Sequence, residues 1–153
     1  MDRRYVIGVA ESTRALVGLV YLGGAAVHLL LWATNRGVYD ELTEYVLSGW
    51  YRDLWTELVL PNLAVLLPLL AAFEVLVAVA VLSKGRAVRL GLAAGAGFNL
   101  AVAPLGFWWP SNVALAAVHA ALLRVSYPSG TLDLVRHRFA PDAEDGPPPD
   151  ARA

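Results

Sequence analysis

Two stretches of this chain, residues 15–33 (ALVGLVYLGGAAVHLLLWA) and 90–109 (LGLAAGAGFNLAVAPLGFWW), contain no Asp, Glu, Lys or Arg, and a third, 58–82, contains a single charge, Glu74. Each approaches or exceeds the roughly 20 apolar residues that cross a bilayer's hydrocarbon core. With 58% hydrophobic residues in 153, a water-soluble fold would carry more apolar surface than one small core could bury. A membrane is therefore the expected solvent. Residues 111–127 read as a fourth, shorter span, with Arg124 near its end where a long side chain can reach the interface. The first apolar run exceeds the h-region of a signal peptide, about 7–15 residues, and no clear A-x-A site follows it, so it reads as a retained span.

The basic residues orient these spans, because Lys and Arg near span ends are kept in the cytoplasm. Arg3, Arg4 and Arg14 precede the first span, Lys84, Arg86 and Arg89 occupy the turn after the second, and Arg124, Arg136, Arg138 and Arg152 lie at or after the end of the fourth. Arg36 and Arg52 alone fall on the other side. Both termini are thus expected in the cytoplasm of a multi-pass cell-membrane protein. Trp32, Trp50, Trp55, Trp108 and Trp109 all fall at the expected outer interface, the headgroup level that amphipathic rings favour.

Between the first two spans, Leu42, Val46, Trp50, Leu54 and Leu58 recur every four residues with Glu44, Asp53 and Glu57 interspersed, which predicts an amphipathic helix over about 39–57 on the outer surface. The chain ends in PDAEDGPPPDARA, a Pro-rich acidic stretch with too little apolar surface to fold. The expected architecture is all-α: a four-helix transmembrane bundle within residues 1–127, capped by the surface helix, and a largely disordered cytoplasmic tail over 128–153.

Each span carries one conspicuous polar residue: His28, Glu74, Asn99 and His119. At 1.5 Å per residue, Glu74, Asn99 and His119 all fall near the middle of the bilayer, and His28 about one turn nearer the outside. Strongly polar groups at that depth are costly, so they should face inward and pair. Glu74 is accordingly expected neutral and hydrogen-bonded to Asn99 or His119. The third span adds a stripe of small residues, Gly91, Gly95, Ala103 and Gly106, around Asn99, which predicts close helix packing on that face. Tyr21, Gly24, His28 and Asn35 share a face of the first span, and Asn112, Ala116 and His119 one of the fourth.

Several chemistries are disfavoured. The net charge is −1 and no basic run is interleaved with aromatics, so nucleic acid is not an expected partner. Cysteine is absent, which removes disulfides, thiolate metal sites and Cys nucleophiles. An axial bis-histidine haem would need His28 and His119 at one depth, and they differ by about a turn. Zinc would need further ligands beside Glu74. There is neither a Ser-His-Asp arrangement in the spans nor a phosphate-cradling loop, so no catalytic or metal-ligating residue is assigned.

The order of features, with Arg14 and Gly18 opening a glycine-rich first span that ends near His28, Glu74 in the second, the basic turn SKGR and two small-residue-rich spans, resembles the DoxX-like membrane proteins over residues 11–127. That family comprises four-helix bundles and includes a small subunit of thiosulfate:quinone oxidoreductase. Members usually carry a glycine a few residues after the second-span glutamate, where Val75, Leu76, Val77 and Ala78 stand here. The resemblance implies a small membrane subunit or partner of a redox protein that contacts quinone, with Glu74 and His28 as the residues to carry over. Two further functions remain open on the residues alone: a non-enzymatic structural or assembly protein, and a carrier of protons or a small solute.

Overall fold

A computed structural model describes residues 3–131 and Asp133. The remainder of the tail expected from residue 128, with Arg136, Arg138 and Arg152, lies outside the described residues. Those described are helical, with no strand among them. The helices are α1 (Arg3–Thr34), α2 (Val38–Glu41), α3 (Gly49–Leu54), α4 (Leu63–Leu82), α5 (Arg86–Val102) and α6 (Trp109–Leu122).

Three helical runs are long and apolar enough to cross a membrane: Ile7–Thr34, Gly49–Leu82 and Arg86–Leu105. α6, at 14 residues, spans only about 21 Å at 1.5 Å per residue. It stops at Leu122, short of the expected 127, because the chain turns back. Arg124 and Val125 amides donate to the Ala121 and Leu122 carbonyls, the Tyr127 hydroxyl donates to the Leu122 carbonyl, and Gly85 N–H donates to Tyr127 O.

α1 packs along α4, α4 along α5, and α5 along α6. Two apolar cores result, each drawn from the faces that these helices share. One lies toward the Arg86 end of α5 and joins Val17 and Tyr21 of α1 to Val77, Ala78 and Val81 of α4, Val88 and Leu92 of α5, and Leu122. The other joins Tyr39 and Trp55 to Leu63 and Leu67 at the start of α4. Glu74 stands on α4 between the two. The opposite faces remain apolar yet exposed, as at Leu76, Leu90 and Leu16, which retain 68%, 70% and 61% of their accessible surface.

The surface helix expected over 39–57 is not continuous. After α2 a single 3-10 turn covers Leu42–Tyr45, the backbone extends at Val46 and Ser48, and α3 begins at Gly49. A tertiary hydrogen bond explains the break: Leu47 N–H donates to Pro104 O at 3.0 Å, which pulls this segment onto the connection between α5 and α6. Beyond α3 the chain stays helical through a π turn at Trp55–Val59 and a 3-10 turn at Leu60–Asn62, so the end of the expected surface helix and the second apolar stretch form one helical run. Pro61, which has no N–H to donate, sits where the pitch changes. The π turn directs Trp55 inward, and its indole N–H donates to Tyr39 O at 3.3 Å. Trp55 is therefore buried, in contrast to the other four tryptophans.

The small-residue stripe of α5 is also shorter than its spacing implies. Gly91 and Gly95 are buried in helix, but the α-helix ends at Val102, Ala103 opens a 3-10 turn, and Gly106 has φ +87°. Gly106 is thus a turn glycine rather than a packing glycine, and a Cβ there would collide with the Tyr45 carbonyl. Gly106→Ala should lower thermal stability markedly, since a positive φ alone costs a non-glycine residue about 1–3 kcal/mol. Gly97→Ala, where a Cβ meets nothing within 4 Å, should leave stability unchanged or raise it by up to about 1 kcal/mol. Thermal unfolding of both variants in mild detergent checks this pair, and equal losses would refute the turn assignment.

Candidate functional site

The four polar residues singled out by the sequence do not form one hydrogen-bonded cluster. They divide into two adjoining groups, according to which helix packs on which.

The first group lies on the α1–α4 seam. Gly24 is the close-approach point, where a Cβ would fall 2.6 Å from Glu74 Oε1. With Gly24 level with the carboxyl group, His28 stands one turn farther along α1 and lays its imidazole over the acid. His28 Nε2 lies 3.7 Å from Glu74 Oε1, and Nδ1 shares a 2.5 Å hydrogen bond with the Tyr39 hydroxyl of α2. The one-turn offset in depth is thus bridged by the two side chains. The expected partners of Glu74 are corrected accordingly: among the described residues it hydrogen-bonds neither Asn99 nor His119, because α1 lies directly against α4, the Asn99 amide is engaged with Tyr21 and Gly95, and His119 lies behind Tyr21. Burial pushes the Tyr39 phenol up to about 12, so it remains protonated at neutral pH.

The second group joins α1, α5 and α6. The Asn99 amide donates to the Tyr21 hydroxyl and to the Gly95 carbonyl, both at 2.8 Å. His119 Nδ1 donates to Leu115 O at 2.6 Å, which leaves Nε2 as a bare acceptor. Its ring stands edge-on to Tyr21, with centroids 5.7 Å apart. Gly95 is what admits this arrangement, since a Cβ there would sit 2.5 Å from His119 Nε2 and 2.6 Å from the Tyr21 hydroxyl. Gly91 performs the same service against Ala80 and Val81 of α4.

Both groups border one cavity of about 650 Å³. Tyr21, His28, Tyr39, Glu41, Tyr45, Glu74, Asn99 and Asn112 supply its polar lining, and Val20, Leu70, Phe98, Val102 and Leu115 are among its apolar lining. His119 is excluded from it by Tyr21 and is wholly buried. Two buried polar atoms are left without partners here, Glu74 Oε2 and His119 Nε2. Among the described residues no three His, Cys, Asp or Glu side chains are grouped to hold a metal ion.

Sequence reasoning missed two residues. Tyr39 lies in a short connecting helix and acquires its role through a tertiary contact with no local signal. Arg14, read from the sequence as an orienting cation and a family feature, is fully buried. Its guanidinium donates to the carbonyls of Ser83 (2.9 Å) and Ser129 (3.3 Å), pairs with Glu11, and lies 4.6 Å from the centre of the Tyr127 ring. A signal was present, since Arg14 precedes Tyr21 by two helical turns and so shares its inward face.

Compared with known proteins, the chain matches no family model, no curated protein and no solved structure.

The Tyr21–Asn99 bond should be measurable. Tyr21→Phe removes an acceptor from a buried amide and should cost about 1 kcal/mol. A double-mutant cycle with Asn99→Leu in detergent reads the coupling, and strictly additive losses would show that the two side chains do not interact.

Proposed function

We propose that this chain is a four-helix integral membrane protein of DoxX-like type, with both termini cytoplasmic, whose central cavity binds a quinone-class molecule as a small subunit or partner of a membrane redox protein. The observation that carries the reading is the buried, unpartnered Glu74 Oε2 on the wall of a cavity of about 650 Å³. Polar groups that serve packing alone are nearly always hydrogen-bonded, since an unsatisfied one forfeits about 1–3 kcal/mol. An acid oxygen left free beside a space of this size is therefore better explained by a ligand than by assembly. The volume lies within the usual range for small-molecule sites, roughly 300–1,000 Å³, and the lining has the expected character of apolar walls with few polar groups.

The residues present fit a quinone. Glu74, His28 and Tyr39 at one edge offer hydrogen bonds to a ring carbonyl, and Phe98 and Leu70 offer apolar contact to the ring. Bound there, a quinone would supply two-electron redox chemistry. The protein's part is to hold the ring, exclude water and keep a proton at the Glu74 carboxyl within reach of His28 Nε2. Membrane placement is supported by the three long apolar runs and by exposed leucines and valines on their outer faces. α6 completes the bundle as the fourth crossing, with its short length extended by the exposed Phe107 and Trp108 at one end and Arg124 at the other.

Glu74→Gln tests the ligand reading. It preserves shape and a donor, so stability should stay within about 1 kcal/mol of the parent protein. Quinone recovered with protein purified in mild detergent should fall about tenfold or more, equivalent to ~1.4 kcal/mol. Unchanged recovery, or no quinone with either protein, would reject it. Topology has its own test: in intact cells a membrane-impermeant maleimide should label Asn35→Cys and spare Lys84→Cys, and the reverse pattern would overturn the orientation.

A further inference from the structure

The helices are packed in sequence, α1 on α4, α4 on α5, α5 on α6, and among the described residues no comparable seam joins α1 to α6. These two meet where the Tyr21 ring stands edge-on to His119, near the Arg14 end of the molecule. Beyond that point no seam joins them, and both helices contribute to the lining of the cavity. Its α1 wall runs from Val20 through Gly24, Val27 and His28 to Leu31, while Trp108, Asn112 and Leu115 form the opposite side. Eleven residues separate Val20 from Leu31, so the gap runs about 16 Å along α1, more than half of a ~30 Å hydrocarbon core.

The rim identifies the mouth. Val20, Val27, Phe107 and Trp108 line the cavity and yet retain 48%, 52%, 47% and 62% of their accessible surface. A mouth confined to the outer surface would not expose Val20, about 12 Å farther along α1 than His28. On the loop side the cavity is bordered by buried Tyr39 and Trp55 and by exposed Glu41 and Tyr45. The lower rim is apolar on the α1 side, and indole and phenyl groups stand on the other.

Resting on the proposed membrane placement and ligand, we infer that the cavity opens sideways into the lipid between α1 and α6, and that its ligand is a bilayer-dissolved amphiphile entering laterally with its polar head toward Glu74 and His28. The slot has the shape this demands: polar at its inner wall, apolar along its length, and wide where no helix seam closes it. A tail can remain between Val20 and Leu115 in contact with lipid while the head occupies the polar wall. Water-soluble ligands would instead enter on the loop side, beside the exposed Glu41 and Tyr45.

Because the chain contains no cysteine, one introduced thiol can be spin-labelled uniquely. Leu115→Cys, half-buried on the inner side of the slot, is labelled and reconstituted in phosphatidylcholine vesicles. Relaxation of the label by oxygen, which concentrates in lipid, is compared with relaxation by a water-soluble nickel chelate. Oxygen should dominate, and adding Val27→Trp, which places an indole across the mouth, should reduce oxygen access several-fold. Val20→Trp offers a second obstruction should the first variant fail to fold. Dominant access by the nickel chelate would establish an aqueous mouth and overturn lateral entry, as would oxygen access that neither tryptophan diminishes. The measurement needs no bound quinone, so a failure of lateral entry is distinguishable from a failure of the quinone reading, which is scored by recovery with Glu74→Gln.

Discussion

The arrangement depends on the approach of α1 to α4 at Gly24, where the absence of a side chain leaves room for the Glu74 carboxyl. A carboxyl group removed from water requires a compensating partner or a cavity that a ligand can share. Packing α1 here brings His28 over the acid and, through His28, fastens the Tyr39 hydroxyl of α2. Tyr39 in turn accepts the Trp55 indole N–H at its carbonyl, so the cover of the cavity is tied to its polar wall. One close contact between two helices therefore positions a chain of groups that runs from the middle of α4 to the loop.

The far side of the cavity depends on a second glycine. Gly95 allows Tyr21 and His119 to meet above α5, and Tyr21 then accepts the Asn99 amide. These contacts close the Arg14 end of the α1–α6 gap and leave the other part open. Arg14 secures the same end from below, because its guanidinium holds the carbonyls of the turn after α4 and of the segment after α6. Carbonyls, a carboxylate and an aromatic face offset the cost of burying this cation, although its Nε is left without a partner. The result is a molecule firmly tied at one end of its helices and hollow toward the other.

Such a division suits a binding role in the proposed bilayer setting. Rigid packing at the Arg14 end fixes the spacing of α1 against α5 and α6, while the cavity keeps two apolar walls and a few polar groups fixed before a ligand arrives. Preorganisation of this sort lowers the ordering cost of binding. Of the four polar residues, His28, Glu74 and Asn99 border the space, whereas His119 is sealed behind Tyr21.

The sequence by itself determined the helical class, the positions of three long apolar runs and the inward placement of Glu74, Asn99 and His119, because hydropathy and the cost of buried polar groups act residue by residue. It also marked Gly91 and Gly95 as packing positions, since a small-residue stripe needs only helical periodicity to be seen. Tertiary structure alone decided the pairing of those polar groups. Depth along a span constrains one coordinate, whereas a hydrogen bond depends on rotation and on which helices adjoin, and so His28 rather than Asn99 or His119 came to face Glu74. For the same reason the regular spacing over residues 39–57 did not produce one helix: Leu47 binds the Pro104 carbonyl, a partner 57 residues away that no local pattern contains. Gly106 shows the same limit from the other side, because a glycine in phase with a helical stripe was recruited to a left-handed turn once Tyr45 closed against it.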